Sequence, residues 1–156
     1  MPWFPVQPSS SGKANEILIM GERHELPSPD LDVRTYDSAG ELSFYAIESD
    51  LPVYGHRYER PGVPVETLEQ LRLVVTQIIL HTDLTSDSRG CFRALVERQL
   101  SSHFLVNYDG TLHQTLDVMD CGYHSGEGNK ASIGIDLNNE LPNLVREPSA
   151  LPYSGP

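Results

Sequence analysis

One stretch constrains the fold more than any other: Leu73-Val74-Val75-Thr76-Gln77-Ile78-Ile79-Leu80, nearly continuous in apolar and β-branched residues and followed at once by His81-Thr82-Asp83. It is far shorter than the roughly 20 apolar residues a membrane-spanning helix needs. Its β-branched content predicts a central strand buried on both faces, as in sheets covered by helices on either side. A histidine directly beyond such a strand projects from its C-terminal end, where ligands collect in open α/β sheets. Taken alone, His81 is more often a hydrogen-bonded structural histidine than a ligand.

The rest of the chain supplies partners for that strand. Residues 1–14 hold three prolines and Ser9-Ser10-Ser11-Gly12, which read as an extended surface arm. Residues 16–20, 32–36 and 41–47 have the length and alternation of strands, with Asp37-Ser38-Ala39-Gly40 as the turn between the last two. Residues 50–64 form a long connection rich in proline and glycine, and residues 66–71 one or two helical turns. Ser86-Asp87-Ser88 offers N-caps for a helix running to about Leu100, with Phe92, Leu95, Val96 and Gln99 on one side. A hairpin follows, residues 103–107 and 111–116 around Asp109-Gly110, then a loop to Lys130 and an interior strand, Ser132-Ile133-Gly134-Ile135-Asp136-Leu137. Strands, helix, hairpin and strand in that order predict one α/β domain, a mixed central β-sheet with helices packed on its faces.

Charge and cysteine content narrow the function. The formal net charge of −11 comes from scattered acids, and no basic stripe is present, which excludes nucleic acid as the expected partner. No apolar run is long enough for a membrane span. Cys91 and Cys121 make no disulfide framework and no Cys-x-x-Cys pair; two unpaired thiols is the first reading, one disulfide the alternative. Met1-Pro2-Trp3-Phe4-Pro5 lacks the basic start and apolar core of a secretory signal. The expected location is the cytoplasm, or wherever a non-classical route delivers the chain, unless a signal has been removed.

Three further residues share the chemical interest of His81. His124 lies in a polar, glycine-rich loop, Gly122-Tyr123-His124-Ser125-Gly126-Glu127-Gly128-Asn129, whose backbone could approach a ligand closely; a solvated surface histidine is the plainer reading. Asp136 is an acid within an apolar strand, and its alternation partners Gly134 and Asn138 are small or polar. A carboxylate held there could act as a general base, with its pKa raised by partial desolvation, or it could face water at the strand end. His103 reads as support for the active face, His113 as exposed, and His24 and His56 as ordinary loop histidines. There is no nucleophile elbow, phosphate loop or dinucleotide fingerprint.

Taken in order, the strand ending in His81-Thr82, the capped helix, Ser101-Ser102-His103-Phe104-Leu105-Val106, Asp109-Gly110-Thr111-Leu112-His113-Gln114, Tyr123-His124-Ser125-Gly126 with Asn129, and Ser132-Ile133-Gly134-Ile135-Asp136-Leu137 resemble the type-2 N-acetylmuramoyl-L-alanine amidases. Peptidoglycan recognition proteins share that fold. The resemblance runs from about Val74 to Asn139 and does not extend to residues 1–70. It implies one zinc ion held by His81, Asp136 as base toward the zinc-bound water, and His124, Asn129 and Ser102 along the substrate groove. Ser102 stands where one branch of the family has a catalytic tyrosine, so the chain is similar to the branch that uses an acidic residue. Two departures matter. Asp136 stands where glutamate is usual, one methylene shorter, and the family's later zinc ligands, a histidine and an aspartate or cysteine, find no match in residues 138–156.

The resemblance therefore implies a zinc amidase domain whose C-terminal part is incomplete: residues 1–70 as arm and unmatched strands, residues 71–156 as the N-terminal part of the amidase domain. Its expected substrate is peptidoglycan or a muropeptide, and its expected reaction cleaves the bond between N-acetylmuramic acid and L-alanine. The missing part is read as truncated, proteolysed or supplied as a second chain, which would then be a partner. The alternatives are a non-catalytic peptidoglycan-binding module and a structural or inhibitory protein on the same scaffold. Metal content separates the first reading from the other two.

Overall fold

The computed structural model describes residues 15–35, 55–62 and 64–138. The element order is β1 (Glu16–Ile19), β2 (Glu22–Glu25), β3 (Val33–Thr35), β4 (Arg57–Tyr58), α1 (Leu68–Val74), β5 (Gln77–Asp83), α2 (Ser88–Glu97), β6 (Phe104–Val106), β7 (Leu112–Gln114), β8 (Cys121–Gly122), a 3-10 helix (Gly126–Ala131) and β9 (Ser132–Asn138). The strand expected at residues 41–47 lies outside the described residues.

Five strands form one mixed sheet in the order β3-β7-β6-β9-β5. β5, β9 and β6 run parallel, β7 runs antiparallel to β6, and β3 runs parallel to β7. The register aligns His81, Asp136, Leu105, His113 and Arg34 in one row across all five strands. Side chains in such a row share a face of the sheet. α2 covers that face: Cys91 and Phe92 pack on Leu105, with Leu95 and Val96 beside them. On the other face Leu71 of α1 packs with Phe104 and Val118, joined by Ile17, Ile133 and Ile135. The mixed α/β architecture with helices on both faces is the one the sequence predicts.

The apolar run at residues 73–80 divides in a way its composition does not announce. Leu73 and Val74 complete α1, which is started by a reciprocal capping box between Thr67 and Gln70. The strand begins only at Gln77 and continues to Asp83, so His81 lies within it. Nor is it central or buried on both faces. β5 is an edge strand of the described sheet, with Ile78 65% and Leu80 62% exposed on its outer face. His113, expected at the surface, is buried, on the sheet face it shares with Leu105.

Residues 15–35 are fastened to this sheet by side chains from the β7–β8 region. Gln114 is fully buried; its Oε1 accepts from the Leu18 amide and its Nε2 donates to the Leu18 carbonyl. Met20 and Gly21, at φ 57° and 76°, form the left-handed turn of the β1–β2 hairpin. Met20 pays a steric cost for that conformation, offset by the Asp117 carboxylate, which accepts from both amides at 2.7 Å.

Candidate active site

A cavity of about 510 Å³ opens on the α2 side of the β5–β9 edge, lined among others by His81, Asp83, Cys91, Tyr123, His124 and Asp136. His81 and Asp136 are partners in the parallel register of β5 and β9, so both side chains rise from the same face. Asp136 is 7% exposed, and burial raises its pKa, opposed by Ser102 and by His81. Ser102 is fully buried; its hydroxyl stands beside that carboxylate without a hydrogen bond of ordinary geometry.

His124 reaches the cavity from the loop between β8 and the 3-10 helix. Its Nδ1 lies 3.2 Å from Nε2 of His81, the rings meeting edge to face. The loop is drawn tight by Asn129, whose Oδ1 accepts from the amides of His124 and Ser125 at 3.0 and 2.7 Å. Asn129 is itself buried, so its carboxamide shapes the wall from behind. Burial, with the Arg60 guanidinium nearby, pushes the His124 pKa down to about 4, so the ring is neutral at pH 7.

Two residues hold this loop in place, Arg60, to which the sequence gives no pointer, and His103, expected there as support for the active face. Arg60, 8% exposed, sends Nη1 to the carbonyls of Asn129 (3.3 Å) and Lys130 (2.9 Å), and Nη2 to those of Val118 and Ser132, both at 3.1 Å. His103 is fully buried, with Nδ1 accepting from the Gly134 amide at 3.1 Å and Nε2 donating to the Asp120 carbonyl at 3.0 Å. That pairing fixes its tautomer, and burial lowers its pKa to about 4. His103 is thus a strap between β9 and the segment leading to β8. A separate cavity of about 550 Å³ lies beside Arg60 and Asp120 and has no histidine in its wall.

Asp83, Cys91 and Asp136 bring one donor atom each within 4.8 Å of one another in the same cavity as His81. Asp83 is anchored by Thr85, which donates through its amide and hydroxyl, and by Asn138 at 2.8 Å. Burial and the Asp83 carboxylate push the Cys91 thiol up, keeping it protonated at neutral pH. Asp83 lies two residues beyond His81 on the same strand face, a signal that alternation alone carries. For Arg60 there is no such signal, since its partners are backbone carbonyls.

Carboxylate oxygen and thiol sulfur are donor types a borderline ion such as zinc takes, so among the described residues Asp83, Cys91 and Asp136 are the cluster that fits one, with His81 outside it in the same cavity. Of the comparisons with known proteins, the family model described as N-acetylmuramoyl-L-alanine amidase matches residues 71–153, more than half of the chain. No curated protein and no solved structure matches it.

Proposed function

This chain belongs to the N-acetylmuramoyl-L-alanine amidase family, and from that premise we propose that it hydrolyses the amide between N-acetylmuramic acid and L-alanine in peptidoglycan or muropeptides. The observation that carries the reading is the pairing of His81 and Asp136, a potential metal ligand and a buried carboxylate, in register at the wall of one cavity. His81 would hold zinc, together with donors from the cavity wall or from a second chain. When bound, the metal supplies Lewis-acid polarisation of the amide carbonyl and lowers the pKa of water.

The chain's own residues do the rest. A carboxylate oxygen of Asp136 takes the proton of the attacking water and can return it to the departing amine, and its desolvation suits it to this by raising its basicity. Ser102, beside that carboxylate, opposes the rise. His124 and Tyr123 form the wall against which the substrate lies, and Asn129 holds that wall in place.

The test is zinc analysis beside release of L-alanine-terminated peptide from muropeptides. His81→Ala should lose both metal and activity, while Asp136→Asn should keep the metal and lose most of the rate, since it removes a proton acceptor. Stoichiometric zinc in His81→Ala, or full activity in Asp136→Asn, overturns the role given to that residue. Binding of peptidoglycan with no zinc and no turnover would instead mark a non-catalytic module.

A further inference from the structure

We propose that the free edge of β5 is the contact by which two copies of this chain associate, the two β5 strands pairing antiparallel about a two-fold axis through Leu80.

The two edges of the sheet are built differently. β3, at one end, offers three residues, of which Val33 and Thr35 are buried and Arg34 carries a charge held by Asp32. Short edges and charged side chains are how folded proteins discourage strand pairing. β5, at the other end, runs for seven residues, Gln77-Ile78-Ile79-Leu80-His81-Thr82-Asp83, with no proline, lysine or arginine among them. Among the described residues it has one strand partner, β9, so alternate backbone groups face outward along the edge. Ile78 and Leu80, in register with Ile133 and Ile135 of the core under α1, carry that core's apolar surface out to the edge, where both are largely exposed. A strand laid alongside would satisfy the backbone and cover the side chains at once.

Backbone bonds alone would admit any strand. A second copy is favoured by the sequence of β5 set against itself in reverse. With Leu80 on the axis all seven residues find partners: Leu80 meets the partner's Leu80, Ile78 the partner's Thr82, Ile79 the partner's His81, and Gln77 the partner's Asp83. Opposed residues of an antiparallel pair share a face, so Ile78, Leu80 and Thr82 of both copies form one apolar and β-branched row on the α1 side. The strand's only acid, Asp83, meets an amide rather than another acid. The two Asp83 carboxylates then stand at opposite ends of the seam, about 20 Å apart, well beyond the screening length of about 8 Å at physiological ionic strength. That separation matters for a chain of net charge −11, whose copies otherwise repel. Moving the axis to Ile79 or His81 leaves two residues of each strand unpaired. The seam calls on neither metal nor turnover, so it is independent of the amidase reading.

Sedimentation of the full chain over a concentration series is the test. The expected result is a species of twice the 17.4 kDa monomer mass that dissociates on dilution. Leu80→Lys sets two ammonium groups against each other at the axis, on a side chain the single chain leaves exposed, and should raise the dissociation constant about 10-fold or more. Ile78→Lys should weaken the dimer too, and combining it with Thr82→Glu, which places opposite charges face to face across the seam, should restore it. Under mild oxidation Leu80→Cys should cross-link the copies, the native Cys91 and Cys121 being buried, whereas Ile78→Cys should not. A monomer at every concentration, the result expected if other residues of the chain or a different protein cover this edge, overturns the inference. So does a dimer indifferent to Leu80→Lys, or one that cross-links through Ile78→Cys and not through Leu80→Cys.

Discussion

His81 and Asp136 occupy directly paired positions on adjacent parallel strands, although 55 residues separate them in the chain. That pairing puts an imidazole and a carboxylate side by side at the wall of one cavity, where burial makes the carboxylate costly to keep charged and His81 and Ser102 offset part of that cost.

Asp136 is therefore expected to trade stability for chemistry. Because its pKa is raised in the fold, the native state binds more protons than the unfolded state between the two pKa values, and stability falls as pH rises through that window. Asp136→Asn removes the cost. The substitution should stabilise the metal-free protein at pH 7 by about 0.5–2 kcal/mol, the range common for relieved functional sites, while lowering turnover. Urea melts of both proteins at pH 7 check the first half, and a less stable variant would contradict it.

His103 predicts an acid transition of opposite sign. Its pKa falls from 6.5 to about 4 on folding, so the unfolded state binds the extra proton and stability drops as pH falls from about 6.5 to 4. The contribution is on the order of 3 kcal/mol, and His113 and His124, each lowered to about 4, add to the same slope. His103→Gln, which retains a donor for the Asp120 carbonyl, should flatten the dependence measured by urea melts at pH 7.5 and 4.5.

Arg60→Met should destabilise the protein by about 3 kcal/mol or more, since it strands four carbonyl acceptors that the guanidinium satisfies. Arg60→Lys should recover little, because an ammonium cannot reproduce the planar fork. Thermal melts of the two variants check the magnitude, and wild-type melting of either would show that water replaces the side chain at no cost.

Cys91 and Cys121 are both free and buried, and a domain of this size is expected to have enough core without a staple. Melts with and without reductant should coincide. A drop on reduction near the roughly 2–5 kcal/mol of a native disulfide would contradict this.

Much of this arrangement is legible in the residues. The Asp87 cap of α2, the β6–β7 hairpin and the β9 strand follow from side chains acting on their own neighbourhood. The apolar run at residues 73–80 is harder, because composition does not say where helix yields to strand, and the outward Ile78 and Leu80 imitate a buried face. His113 is buried although the hairpin pattern reads it as exposed, because that pattern does not say which sheet face the rest of the chain covers. Arg60 and His103 act on backbone groups far away in sequence, a relationship that appears only once the chain has closed on itself.

The position of β5 at the sheet edge gives the protein an internal reporter. Among the described strands it has a single neighbour, β9, so alternate backbone amides of the segment bearing His81 point away from any strand partner. In the monomer those amides take up deuterium early while their neighbours wait for the edge to open. A ligand that braces this edge should slow exchange over the seven residues from Gln77 to Asp83, which mass spectrometry can read in the unmodified chain.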